Sequence, residues 1–207
     1  MRNKSEKARL LEELYEEIRR CEDCELARYR TNVVPGEGPP DARVMFIGEA
    51  PGYHEDRQGR PFVGAAGQFL TRLLASIGLR REDVYICNVI KCRPPQNRDP
   101  LPKEIRACAK WLDRQIEIIK PKVIVTLGRY SLNKFLPGAS ISKVHGTHAE
   151  VGGFTIFALH HPAAALHRQE LREVIEADFR KLKELLDRVL AEPEEILSEP
   201  PRQLSLF

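Results

Sequence analysis

The chain has 207 residues, 42% of them apolar and 30% charged, with a formal net charge of +3. That is about one domain's length with enough apolar material for a core, which excludes a disordered chain and leaves little room for a second domain. No run approaches the ~18 apolar residues of a membrane helix, and the charged start, MRNKSEKARLLEELYEEIRR, is no secretory leader, so a cytoplasmic protein with no membrane partner is expected. Leu10, Leu11, Leu14, Tyr15 and Ile18 recur at helical spacing and predict a helix over 5–20 with Ser5 as its N-cap. A loop with Cys21 and Cys24 follows. RVMFI (43–47), ending at Gly48, suits a buried strand, and the Gly- and Pro-rich segment 48–64 is a long loop before a helix over 68–77, closed by Gly78. A second strand is expected over 84–90, a four-proline loop over 93–102, and an amphipathic helix over 103–120. KVIVTL (122–127) is a third strand, followed by a short helix to about Phe135. The turn-rich stretch 145–153 reads as a hairpin region, 154–159 as the fourth strand, and 169–190 as a long final helix.

Strands alternating with helices predict an α/β fold: three α/β/α layers around a central, mainly parallel four-stranded sheet. One domain is expected over 1–190. Residues 191–207 are a Pro/Glu-rich flexible tail carrying −3, which leaves +6 on the body, compatible with a polyanionic partner. In such sheets ligands bind beyond the carboxyl ends of the strands. GEAPG (48–52), Asn88 with its loop, and HHP (160–162) all fall there and converge on one edge.

Five cysteines in a chain without an export signal argue against disulfides. Cys21 and Cys24 form C-x2-C; 67 residues later comes C-x15-C, made by Cys92 and Cys108. Four thiolates suit a structural zinc or a 4Fe–4S cluster, and spacing does not separate the two. Cys87, inside a strand, reads as an inert core residue.

GEAPGYHEDRQGRPFVGAAGQFL (48–70), NVIKCRPPQNRDP (88–100) and HHPAAAL (160–166) together resemble the family 4 uracil-DNA glycosylases, the iron–sulfur members of their superfamily. The resemblance spans about 21–190. It implies a 4Fe–4S cluster on Cys21, Cys24, Cys92 and Cys108. It also implies hydrolysis of the N-glycosidic bond of deoxyuridine in single- and double-stranded DNA, releasing uracil and leaving an abasic site for base excision repair.

The chemistry then assigns residues. A glycosylase extrudes its target base into a fitted pocket, where Phe62 is the expected stacking platform. Asn88 reads the base edge: its amide oxygen accepts from uracil N3–H while its NH2 donates to O4, a pattern cytosine reverses. His161 is expected to donate to O2, where negative charge gathers as the bond breaks, with His160 in a packing role. Backbone N–H groups around Gly48, Ala50 and Gly52 add donors. Glu49 either orients the attacking water or braces the loop; family 1 relatives carry an Asp where this chain has Ala50. Lys91, Arg93, Arg98 and Lys143, with His145, are expected to ring the pocket as a phosphate-binding rim. Leu166 resembles the wedge that fills the space of the flipped base, with a helix-core residue as its plain alternative. His54, His148 and His167 read as surface residues.

The last five residues, QLSLF, resemble the bacterial sliding-clamp pentapeptide, with Gln203, Leu204, Leu206 and Phe207 as anchors on a flexible tether. The expectation is a monomeric, monofunctional, nucleoid-associated hydrolase of a bacterial cell. A uracil-DNA binding or covalently trapping protein on the same pocket is the alternative, and an iron–sulfur electron carrier a more distant one.

Overall fold

The computed structural model describes residues 3–166 and 168–191. Strands β1 (Val44–Gly48), β2 (Tyr85–Asn88), β3 (Val123–Leu127), β4 (His148–Val151) and β5 (Phe154–Leu159) form one sheet in the order β2-β1-β3-β5-β4. All neighbours are parallel except β4, which runs antiparallel to β5. The sheet therefore has five strands where the sequence predicts four. The additional strand is the first arm of the hairpin over 145–153. Its four residues alternate between exposed and half-buried, so no apolar run marks it. Gly152 and Gly153, at φ 58° and 82°, supply the tight two-residue turn into β5.

Every residue of β1 is buried, as expected of a strand covered on both faces. Met45 and Ile47 pack under α1 (Lys4–Arg19) and α4 (Pro102–Ile119), with Leu14, Ile18, Leu112 and Ile116. Val44 and Phe46 face the other way, against Leu70 and Leu74 of α3 (Ala65–Ser76) and Phe179 and Leu182 of α7 (Gln169–Ala191). Three layers result, as the alternating pattern predicts. Three short α-helices, α2 (Tyr53–Gln58), α5 (Arg129–Phe135) and α6 (Ile141–Val144), and four 3₁₀ turns complete the helical elements of the described residues.

Local differences from the sequence reading have local causes. Asn3, not Ser5, caps α1, accepting the Glu6 N–H at 2.8 Å. Helix α2 lies inside the segment read as plain loop. β2 ends at Asn88, and its partner across the ladder is Gly48, the last residue of β1. Leu127 and Leu159 pair at the ends of β3 and β5. The carboxyl ends of β1, β2, β3 and β5 thus share one edge, with Gly48, Asn88 and His161 on or just beyond it. Among the described residues no helix is long and apolar enough to cross a membrane.

Candidate active site

A cavity of about 370 Å³ opens at this edge, walled by Glu49, Ala50, Gly52, Phe62, Asn88 and His161 among others. Asn88 is 1% exposed, and its Oδ1 is the buried side-chain oxygen without a partner among the described residues. Buried polar atoms are nearly always paired, so an orphan acceptor in a cavity wall marks the place of a ligand N–H. Gly48 makes this wall possible. A Cβ there would lie 2.6 Å from the Phe62 ring and closer still to Asn88 Oδ1.

Phe62 is buried and sits at φ 52°, a left-handed backbone that a bulky residue rarely adopts. Two side chains hold it there. The Arg81 guanidinium donates to the carbonyls of Pro61 (2.7 Å) and Phe62 (2.8 Å). The Glu55 carboxylate accepts the N–H groups of Val63 (2.9 Å), Gly64 (2.8 Å) and Gly52 (3.1 Å). Gly67 contributes by having no Cβ where the Phe62 carbonyl passes. The Phe62 ring stacks beside the His161 ring at 5.6 Å and 29°.

Nδ1 of His161 accepts the Ala163 N–H at 3.1 Å. Burial lowers its pKa from 6.5 to about 4, against a smaller raising effect of Glu55. At neutral pH the imidazole is therefore uncharged, and with Nδ1 an acceptor its proton resides on Nε2. The cavity holds a fixed, neutral donor. His160 is turned elsewhere, its ring 4.7 Å from that of His145, while His145 Nδ1 meets the Asp178 carboxylate at 2.6 Å. Glu49 lines the cavity half-buried. Burial raises its pKa, Asp99 adds to the rise, and Arg129 opposes it. The N–H of Gly52 is already bonded to Glu55, which corrects its reading as a donor to the base.

A second cavity is lined by Cys21, Cys24, Cys92 and Cys108, with Ile18, Leu26, Val33, Ile90 and Trp111 around them. Three of the sulfurs already accept N–H donors: Cys92 from Arg30 (3.3 Å), Cys108 from the Lys91 backbone (3.3 Å) and Cys21 from Trp111 (3.4 Å). Burial pushes the Cys108 thiol up to about 12, opposed by the nearby Lys91 charge. A positively charged group between the sulfurs would reverse that, since a coordinating thiol is deprotonated. No three Cys, His, Asp or Glu side chains among the described residues gather around the position of a single ion. Cys87 is fully buried in the sheet, as expected of a core residue, and burial raises its thiol pKa.

Residues 35–187 match the family model of the uracil DNA glycosylase superfamily. The chain is 52% identical over 184 residues to the type-4 uracil-DNA glycosylase of Archaeoglobus fulgidus, covering 84% of this chain and 92% of that one. It is 51% identical to that of Sulfurisphaera tokodaii, over 84% of each chain, and 49% identical to that of Thermotoga maritima, over 86% and 95%. The chain belongs to the uracil DNA glycosylase superfamily.

The expected DNA-facing rim is only partly where the sequence put it. Lys91 is the clear correction: it is 1% exposed, its ammonium donating to the Asn88 carbonyl (2.8 Å) and to Gln115 Oε1 (2.6 Å). Its stem lies in an apolar run, and no phosphate can reach it. Arg98 lines the cavity but is paired with the buried Glu104 carboxylate (2.6 and 2.9 Å). Arg93 lies 5.1 Å over the exposed Tyr53 ring and bonds Asn97 at 2.7 Å. Lys143 is exposed on α6, as are His54 and His148 at the surface. Leu166, 43% exposed in a 3₁₀ turn (Pro162–Leu166), is no helix-core residue. Beside it lies a groove with Phe69, Arg72, Arg168 and Arg172, and two of these guanidiniums, Arg72 and Arg172, cover the Phe69 ring at 5.7 and 5.4 Å. The sequence reading missed this basic patch, along with Glu55 and Arg81. A carboxylate three residues after the Gly52 cap was the available signal for Glu55; Arg81 had none. His167 and the tail residues Gln203, Leu204, Leu206 and Phe207 lie outside the described residues.

Proposed function

We propose that the chain is a monofunctional type-4 uracil-DNA glycosylase that takes a flipped deoxyuridine from single- or double-stranded DNA into the cavity at Asn88, hydrolyses its glycosidic bond and leaves an abasic site. The unpartnered Oδ1 of Asn88 facing that cavity carries this reading. It accepts from uracil N3–H, while cytosine presents a bare ring nitrogen there and leaves the buried oxygen still unpaired. Uracil stacks on Phe62. As the bond lengthens, charge moves to O2 and the neutral Nε2–H of His161 donates to it, a preorganised donor in a partly dried site. Glu49 has the raised pKa of a general base and orients water toward the sugar. Because the Lys91 amine is engaged inside the protein, it is not free to form a Schiff base, in keeping with hydrolysis alone.

Cys21, Cys24, Cys92 and Cys108 would hold a 4Fe–4S cluster. The four thiols line one cavity and three of them accept N–H donors, as thiolates holding a cluster would, and such a group would tie the loops after α1 and β2 to α4. Arg93, Arg98 and Lys143 hold phosphates, and Leu166 fills the gap of the flipped base. We assign residues 1–190 to one catalytic domain and 191–207 to a tether whose QLSLF end binds a bacterial sliding clamp, in a cytoplasmic, nucleoid-associated monomer.

An oligonucleotide with one deoxyuridine, incubated with the protein and treated with alkali, tests the reading. Strand scission at that position is the expected result. A covalently retarded band on a denaturing gel would instead mark a trapping protein, and an unchanged band overturns the proposal.

A further inference from the structure

Lys91 is an anomaly of the buried interior. Its side chain is fully inside, yet its ammonium meets only neutral acceptors, the Asn88 backbone carbonyl at 2.8 Å and Gln115 Oε1 at 2.6 Å. No carboxylate pairs with it among the described residues. A buried cation is costly unless an opposite charge lies close by. The orientation of Gln115 is fixed from its other end, where Nε2 donates to the Pro35 carbonyl and to Tyr85 Oη, both at 2.8 Å. The amide oxygen therefore faces Lys91 by construction, and the Tyr85 hydroxyl continues to Tyr15 at 2.7 Å.

The charge that Lys91 lacks is available one step away. Its own backbone N–H donates to Cys108 Sγ, its neighbour in the chain is Cys92, and it lines the cavity the four cysteines share. Four thiolates around a cluster leave net negative charge. Resting on the cluster reading above, we infer that Lys91 is a positioning residue that joins the two sites: its ammonium offsets the charge of the cysteine site and, by gripping the Asn88 carbonyl, sets the aim of the amide that reads uracil. The 88–92 segment is then one lever. Asn88 stands at one end, Cys92 at the other, and Lys91 fixes both against Gln115 of α4. This gives the cysteine site a role beyond bracing loops, because loading it stabilises the cation that holds Asn88.

Lys91→Met keeps the stem and removes the charge. Purified with its iron, this variant should turn over uracil-DNA about ten- to a hundredfold more slowly, the usual effect of losing a residue behind a metal ligand. Its cluster should be reduced at a more negative potential than that of the wild type. In an Asn88→Ala background the same change should lower turnover by less than about twofold, since coupled residues are not additive. Plain destabilisation would multiply in both backgrounds. Equal losses in the two backgrounds, or wild-type turnover together with an unshifted potential, overturns the inference. If Lys91→Met does not fold, Gln115→Met decides: it keeps the ammonium and should give a smaller loss with the same dependence on Asn88, and wild-type turnover would count against the inference. A wild-type protein without iron sinks the cluster reading and the charge role with it, while the dependence on Asn88 separately reads the positioning role.

Discussion

Asn88 and Cys92 stand four residues apart in the chain, yet they belong to sites of opposite construction. The pocket at Asn88 holds a buried acceptor without a partner and, in His161, a neutral donor in its wall. The cysteine cavity is walled mainly by apolar side chains and the cysteines, with Arg30, Lys91, Asp23 and Glu104 also lining it, and three of its four sulfurs already accept N–H donors. A buried polar atom left unpaired destabilises the fold until something supplies its partner. The protein carries that cost where a substrate comes and goes, and avoids it where a permanent group would stay. On the proposed reading, function sits in the unsatisfied site and the satisfied one braces it.

If that division is right, Asn88→Ala should have the largest effect on catalysis and none on the cysteine site. Turnover on uracil-DNA should fall on the order of 10³-fold, a scale typical of losing one catalytic hydrogen-bonding group, with melting temperature and iron content unchanged. A loss of iron would show the two sites are not separable in this way. His161→Ala removes the proposed O2 donor and should cost about 10²-fold in kcat, again without touching iron.

The titration of His161 sharpens the contrast. Its folded pKa of about 4 lies below the ordinary 6.5. Between those values the unfolded chain binds the proton and the folded one does not, so stability falls as pH falls across that window. His161→Ala should flatten this slope in thermal melts recorded at each pH. Turnover of the wild type should show no inflection near 6.5, because the donor is already neutral there. An acidic limb should instead follow Glu49, whose burial places it above the ordinary 4.5. The carboxylate must be ionised to accept a proton, so activity falls with pH, and Glu49→Gln should abolish the limb.

The parts of the site that stand at strand ends were legible in the sequence. Gly48, Asn88 and His161 each close or follow an apolar run, and the strand pattern alone gathers them on one edge. Phe62 was legible as an aromatic within a Gly/Pro-rich segment, but what holds it was not. Arg81 and Glu55 act on backbone carbonyls and N–H groups through loop geometry, and hydrophobic periodicity carries no trace of such contacts. Lys91 departs from the sequence expectation because a charge ordinarily lies at the surface. Its place between Ile90 and Cys92, at the end of a run from Val84, was the signal that it points inward. β4 went unseen as a strand because an edge of four half-exposed residues needs no apolar pattern to pair with β5.

The strap behind Phe62 predicts an intermediate effect. Arg81→Met frees the carbonyls of Pro61 and Phe62 and lets the left-handed residue relax. Loss of one stacked base is worth about 1–3 kcal/mol, so KM should rise by about tenfold or more with kcat changed less. An equal fall in kcat would mean that Phe62 positions His161 rather than the base.

The smallest effect is expected farthest from the pocket, in the groove beside Leu166. Arg72 carries no carboxylate partner among the described residues; its guanidinium lies on Phe69, in the groove that also holds Arg168. A cation left unpaired next to an exposed leucine suits a phosphate of the strand that closes behind the flipped base. Arg72→Ala should weaken binding to uracil-free duplex only a few-fold. The plot of log Kd against log salt should lose about one unit of slope, the signature of one phosphate contact. The same change should leave the uracil-to-cytosine preference intact, since a backbone contact positions the duplex without reading the base. An unchanged slope would leave the arginine as a lid on Phe69, and the basic rim would then consist of Arg93, Arg98 and Lys143 alone.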